Sequence, residues 1–284
     1  MGAGRLLVWA LVMLLVAAPV SAQSPRAPAV TDKADAFADA ARKGDAAAVG
    51  KLLDQGVDVN TKFRYNATAL SYACDRGHLE VVKLLLERGA DVNVEDTFYH
   101  ATPLMWAVTP AMGRKPQHAE IVGLLLKHGA KGKETALMGA VSAGDVEMTK
   151  TVLADGGVPA DTLSDALDAA TKAGKRDIAA MLEQAGAKPF VELKLEEAEL
   201  AQYAGTYRNS NGVDMVLTVS DGRLVGGPAG QRFTFVARDR TRFKLAEGPP
   251  LTLTFRVEDG KVTGLLFGQG GGGQLFSRVT GGRP

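Results

Sequence analysis

Between residues 34 and 188, apolar positions cluster at helical spacing. The segment HLEVVKLLLERG (His78 to Gly89) carries Val81, Val82, Leu84, Leu85 and Leu86 over two faces, as a helix held between two neighbours does. The stretch before it, ATALSYACDRG, is short and rich in small residues, so packed helices can approach it closely. Gly89 suits the left-handed position just past a helix end, and Asp91 and Asn93 open a turn-prone segment. From Tyr203 onward the pattern changes to short runs with period two: VDMVLTV, RFTFVA, RFKLA, LTLTFRV, VTGLLF and QLFSRV. These read as strands, with Asp221-Gly222 and Asp259-Gly260 as hairpin turns. Seven or eight such strands in about 80 residues predict a small antiparallel barrel or sandwich. Residues 189–202, which include the charged run VELKLEEAELAQ, form a linker or a short helix between the two parts.

The helical part repeats. Gly44 to Gly77, Gly56 to Gly89 and Asn60 to Asn93 are each 33 residues apart, and RKGDAAAVGKLLDQGVDVN aligns with DRGHLEVVKLLLERGADVN. Later copies begin QHAEIVGLLLKHGA, AGDVEMTKTVLADGG and AGKRDIAAMLEQAGA, so about five units are expected. A lone helix pair of this kind cannot bury both apolar faces, whereas a stack can. The first and fifth units are Ala-rich and more polar, as the ends of a stack must be. The spacing is uneven in the middle. TPAMGRKPQ (Thr109 to Gln117) inserts about six residues between the helices of the third unit, and the projection after Gly129 is about six residues short.

Gly77-His78-x-Glu80-Val-Val, Gly89-Ala-Asp-Val-Asn93 and Thr102-Pro103-Leu104 resemble the ankyrin repeat family, over about residues 34–188. The resemblance implies an α solenoid of helix pairs joined by projecting fingers. It also implies a protein partner, held on the finger tips and on the concave face of the first helices. Carried over by position, the tips are Arg64 and Tyr65, then Phe98, Tyr99 and His100. The concave-face positions are Arg42, Lys43, Asp75 and Arg76. Exposed aromatics and arginines commonly anchor interfaces. The alternative is that Phe63, Tyr65 and Phe98 tuck under their own fingers. Tyr72 and Trp106 occupy equivalent first-helix positions and are expected to pack between repeats.

Leu200-x-x-Tyr203-x-Gly205-x-Tyr207, LTVSDGRL and GKVTGLLFGQGG resemble a second module. It is the lipocalin-like β-domain that follows the catalytic domain in many penicillin-binding-protein-like serine hydrolases related to class C β-lactamases. The resemblance covers about residues 203–280, or from 196 with the preceding helix, and leaves a tail at 281–284. It implies an accessory role: docking to a partner domain or hydrolase, or a small apolar ligand inside the barrel. A cavity lined by Phe233, Phe235, Phe255 and Phe267 would favour the ligand. Arg232, Arg238, Arg240, Arg242 and Lys244 make this domain locally basic. However, Arg242 and Lys244 alternate with Phe243 and Leu245 as a half-buried strand requires.

Residues 1–22 read as a secretory signal peptide. Arg5 is followed by the uncharged run Leu6 to Ala18 and by small residues before a cleavage point near Ala22-Gln23, with a linker at 23–33. A periplasmic or secreted protein with no membrane span after cleavage is expected; retention of the leader as an anchor is the alternative. Lys and Arg total 33 against 32 Asp and Glu, which gives no overall field for nucleic acid. Signals for chemistry are missing. His78-x-Glu80 and His118-x-Glu120 lack the cysteines of a zinc deaminase and belong to the repeat pattern. Gly270 to Gly273 lacks the following helix of a phosphate cradle and reads as a hairpin loop. No nucleotide-binding loop, nucleophile elbow or metalloprotease motif occurs. A non-enzymatic binding protein without cofactor or metal is the expectation. Cys74, the one cysteine, falls on an apolar helix face and is expected to be inert.

Overall fold

Capping residues and glycine stops divide the helical half into pairs. In the computed structural model, which describes residues 32–279 apart from 112, 249–250 and 269–272, five pairs follow one another. They are α1 (Asp32–Lys43) with α2 (Ala46–Asp54), α3 (Ala69–Arg76) with α4 (Leu79–Glu87), and α5 (Pro103–Val108) with α6 (Gln117–Lys127). The last two are α7 (Lys133–Ala143) with α8 (Val146–Ala154), and α9 (Ala160–Lys172) with α10 (Arg176–Gln184). The leader read from residues 1–22, nearly all of the linker, most of Gly270–Gly273 and the tail 281–284 lie outside the described residues.

Local chemistry starts these helices. The Asp45 carboxylate accepts from the Ala48 backbone N–H at 2.9 Å, Thr68 and Ser71 cap each other's backbone, and Asp145 accepts from Met148 at 2.8 Å. The first helices pack against one another in one rank, from α1 through α3, α5 and α7 to α9. The second helices do the same in another rank, from α2 to α10. One continuous core results, with Phe37, Leu70, Leu85, Leu104, Ile121, Leu125, Leu137 and Met148 fully buried. This is the stack that the 33-residue period predicts.

The histidines are part of the scaffold. The ring Nε2 of His78 lies 3.0 Å from the Arg42 carbonyl of the preceding pair, and that of His118 lies 3.3 Å from the Asp75 carbonyl. Each ring sits over the glycine ending the earlier first helix. A Cβ on Gly44 would come within 2.5 Å of His78, and one on Gly77 within 2.9 Å of His118. In the fifth pair Lys175 takes this position and donates to the Val141 and Ser142 carbonyls, both at 2.7 Å.

Cys74 is fully buried in α3, and burial pushes its thiol well above the ordinary range. An aromatic disulfide reagent is therefore expected to leave it unreacted in the folded chain and to label it fully in denaturant. Rapid labelling of the native protein would contradict this.

The second part is a closed barrel of eight antiparallel strands. These are β1 (Gly205–Asn209), β2 (Asp214–Ser220), β3 (Arg223–Pro228), β4 (Phe233–Ala237), β5 (Arg242–Leu245), β6 (Thr252–Glu258), β7 (Lys261–Gly268) and β8 (Gln274–Arg278). Each pairs with the next, and β8 closes on β1 with Tyr207 opposite Arg278. The two Asp-Gly hairpins are as expected. Asp221 and Gly222 have φ of 52° and 68°, and Asp259 and Gly260 have 49° and 72°.

The segment at 189–202 belongs physically to the barrel. Its short helix α11 (Glu197–Ala201) buries Leu200 in the barrel core, and Leu195 packs against that core. Earlier in the segment, Leu193 donates to the Ala237 carbonyl at 2.9 Å, and Glu192 pairs with Arg223 at 2.9 Å.

Rings fill much of the barrel interior. Tyr203 lies 4.6 Å from Phe255, Phe243 lies 5.5 Å from Phe255, and Phe235 lies 6.4 Å from Phe267, measured between ring centroids. The Tyr207 hydroxyl donates to the Tyr203 carbonyl at 2.8 Å. Burial raises its pKa to about 12, against a smaller opposing effect of Arg278. Of the four phenylalanines considered as cavity lining, Phe235 and Phe255 are buried in the core, while Phe233 and Phe267 are partly buried and packed against it.

Candidate partner-binding surface

The fingers are built by side-chain-to-backbone hydrogen bonds. Asn60 at the foot of the first finger accepts from the Asp91 N–H at 2.8 Å. Asn93, one repeat later, accepts from the Lys131 N–H at 2.9 Å and donates to the Gly129 carbonyl at 3.2 Å. The asparagines of the two DVN triplets therefore lock each finger base to the next. Further out, Thr97 donates to the Tyr65 carbonyl at 2.8 Å, and the Asn66 amide donates to the Glu95 carbonyl at 2.6 Å. The first two fingers are thus joined along their length.

Asp96 organises the second finger. It is buried, and its carboxylate accepts from the N–H groups of Phe98 (2.9 Å), Tyr99 (2.6 Å) and Ala101 (3.2 Å). It also accepts from the Trp106 indole N–H at 3.1 Å. Four donors around one carboxylate fix the loop that presents Phe98 and Tyr99. On the first finger, Tyr65 itself adopts a left-handed backbone conformation (φ 58°, ψ 31°), as His100 does on the second (φ 54°). That conformation is uncommon for a bulky residue and persists only where its surroundings over-determine it.

The result is an exposed row of rings. Tyr65 lies 5.2 Å from Phe98, Phe98 lies 4.6 Å from Tyr99, and Tyr99 lies 5.6 Å from Trp106, centroid to centroid. The Arg64 guanidinium stacks 4.6 Å over Tyr65 and donates to its hydroxyl at 2.7 Å. Tyr65, Phe98 and Tyr99 are 42%, 58% and 58% exposed, whereas Phe63 is 8% exposed and stacks on Tyr72. Only Phe63 among the finger aromatics tucks under. Tyr72 and Trp106 are half-buried, as their equivalent positions suggested.

The concave-face residues are less uniform. Lys43 is exposed. Arg42 pairs with Asp39 at 2.9 Å and lies 4.2 Å over the Tyr72 ring. The inserted loop folds back over the third and fourth of these positions. Asp75 accepts from the Ala111 N–H at 2.7 Å, and Lys115 donates to the Arg76 carbonyl at 2.6 Å. Both Asp75 and Arg76 are half-buried there. The structure therefore gathers Arg64, Tyr65, Phe98 and Tyr99 into one patch with His100 exposed beside it, and commits Asp75 to an internal bond.

Residues 37–134 match the family model for ankyrin repeats (3 copies). The match runs from within α1 through α6 and includes both fingers that carry the aromatic row. The helical stack continues beyond the match through α7 to α10, which pack on it in the same two ranks. No curated protein matches the chain. Among the described residues, no group of His, Cys, Asp and Glu is arranged to hold a metal ion, and no helix is long and apolar enough to cross a membrane.

Two features escape a reading of the sequence. Asp96 carries no mark that separates it from other finger acids, although an Asp followed five residues later by a small buried residue is compatible with such a turn. The other is a set of ion pairs between α9 and the barrel, whose partners lie 73 to 81 residues apart for Asp161 and Asp165.

Proposed function

We propose that the chain is an exported, non-enzymatic protein-binding module whose partner docks on the first two ankyrin fingers. The observation that carries this reading is the exposed rings Tyr65, Phe98 and Tyr99, backed by half-buried Trp106 and held by Asp96 and by the ties between fingers. Tyrosine and tryptophan give large contact area at low conformational cost, and arginine adds a directional charge. Arg64, His100 and the first-helix residues Arg42 and Lys43 form the polar surround. Export rests on the leader-like pattern of residues 1–22. The barrel serves as a second docking surface, as its resemblance to accessory β-domains implies. Its packed aromatic interior favours docking over an internal apolar ligand.

Replacing Tyr65, Phe98 and Tyr99 together by alanine tests the reading. The three side chains are largely exposed, so circular dichroism and the unfolding midpoint should stay close to those of the parent. Capture of a partner from the compartment to which the protein is delivered should fall at least tenfold, because interface anchors of this type each contribute about 2 kcal/mol or more. Undiminished capture would remove the finger tips from the account.

A further inference from the structure

The two halves of the molecule meet through charge. On α9, Asp161, Asp165 and Asp168 stand at i, i+4 and i+7 and form one stripe. Opposite them are Arg238, just after β4, and Arg242 and Lys244 on β5. Arg238 donates to Asp161 at 2.9 Å and also reaches Asp165, while Arg242 reaches Asp161. Lys244 lies 3.3 Å from Asp165 and 3.0 Å from Asp168. Phe190 supports the cations, with Lys244 4.1 Å and Arg238 5.5 Å from its ring centroid. Lys244 and Arg238 are largely buried in this seam. Lys244 therefore does not face solvent, as an exposed alternate strand position would; the repeat domain covers it.

The two apolar cores are separate and share no residue. Between them lies a cleft of about 380 Å3 lined by Met138 of α7, by Ala169 and Lys172 of α9, and by Leu245 to Gly248 of the barrel. α9 touches the barrel through the ion pairs, while the cleft lies between Met138 of α7 and Leu245 to Gly248 of the barrel.

We propose that the barrel is held against the fourth and fifth repeats by a releasable electrostatic latch, whose opening uncovers the first-helix side of those repeats. In the closed form the barrel narrows access to this side at α9, where Asp165 and Asp168 are half-buried under it. Opening extends it through α7 and α9 and exposes the acidic stripe. The connection from Ala185 to Pro189 is short, so release reorients the barrel without separating it far, and closure is favoured by high effective concentration. The latch does not depend on where a partner binds.

Acid acts in the opening direction. Burial raises the Asp168 carboxyl, but Lys172 and Lys244 outweigh this through hydrogen bonds and charge and hold it below the usual carboxylate range. Lys172 is on α9 itself and stays paired in the open form. Only the lowering due to Lys244 across the seam, less the opposing effect of burial, therefore favours closure while Asp168 is ionised. That contribution is lost as pH falls through the closed-form value, so closure weakens below about pH 4. The other charges around Asp168 are Asp165 on the same helix, Arg238 beyond it, and Glu247 at the cleft.

The test uses energy transfer between dyes on Glu147→Cys and Glu258→Cys, two exposed positions on α8 and β6. Buried Cys74 does not compete for label. Reversing the helix side (Asp161→Lys, Asp165→Lys, Asp168→Lys) is expected to shift the transfer efficiency. Adding Arg238→Glu, Arg242→Glu and Lys244→Glu should restore it. Raising sodium chloride from about 0.05 to 1 M should shift the native chain in the same direction as reversal, and this series decides the matter even where a reversed variant does not fold. Unchanged efficiency on reversal, unchanged efficiency across the salt series where the reversed variant does not fold, or reversal that the second set does not rescue, would overturn the latch.

Discussion

Gly226→Ala is expected to prevent the barrel from closing while leaving the ankyrin region folded. Gly226 lies in β3 opposite Leu217 with φ of 150°, a conformation that side chains rarely adopt. A Cβ there would fall 1.8 Å from the Val216 carbonyl oxygen, a backbone atom that cannot move without breaking the β2–β3 ladder. Strain and overpacking each cost about 1–3 kcal/mol, so their combination is comparable with the whole stability of a small domain. Near-ultraviolet circular dichroism from buried Tyr203 and Tyr207 should collapse, with far-ultraviolet helix signal and Cys74 protection retained. Gly212→Ala separates the two effects. Gly212 has φ of 78° but open space around its Cβ, so it should cost only the left-handed backbone strain of about 1–2 kcal/mol. Equal damage from the two substitutions would contradict the steric explanation.

Asp96→Ala should be the most disruptive single change in the ankyrin fingers. It removes one acceptor from four donors. Phe98 and Tyr99 are exposed, so water can replace the carboxylate at their N–H groups; Ala101 is buried and Trp106 half-buried, so theirs are left poorly satisfied. Orphaned buried donors cost about 1–3 kcal/mol each, which sets the expected loss at about 2–4 kcal/mol. Asp96→Asn keeps one carbonyl oxygen but turns an N–H2 toward donors, and should fall between. Both variants should also weaken partner capture by more than their effect on the folded fraction, because the rings lose their fixed placement. Chemical denaturation read beside capture checks both parts. A stability loss below about 0.5 kcal/mol for Asp96→Ala would show that the finger is held by other contacts.

What the sequence disclosed follows from what repeats and what is local. The period of 33 fixes the two ranks of helices, the glycines at 44 and 77 fix where each first helix ends, and the Asp-Gly pairs fix two hairpins of the barrel. Each feature depends on residues close together in the chain or recurring in register. The patch was half legible. Finger position pointed to Tyr65, Phe98 and Tyr99, but only the fold distinguishes Tyr65 from Phe63, two residues away, because the left-handed turn at Tyr65 sends one ring outward while the other stacks on Tyr72. The commitment of Asp75 to the inserted loop, and the ion pairs between α9 and β5, were not legible at all. These join residues far apart in sequence whose types, acid on a helix and base on a strand, suit an exposed surface equally well.

Contact between the fingers and a partner is read out by placing a photo-crosslinking p-benzoylphenylalanine at Phe98 in the full chain in cells. The same residue at Val216, an exposed position on β2 of the barrel, serves for comparison. A discrete protein adduct is expected on illumination from position 98, and it should be lost when Tyr65 and Tyr99 are also alanine. An adduct from position 216 with none from 98 would contradict contact at the fingers.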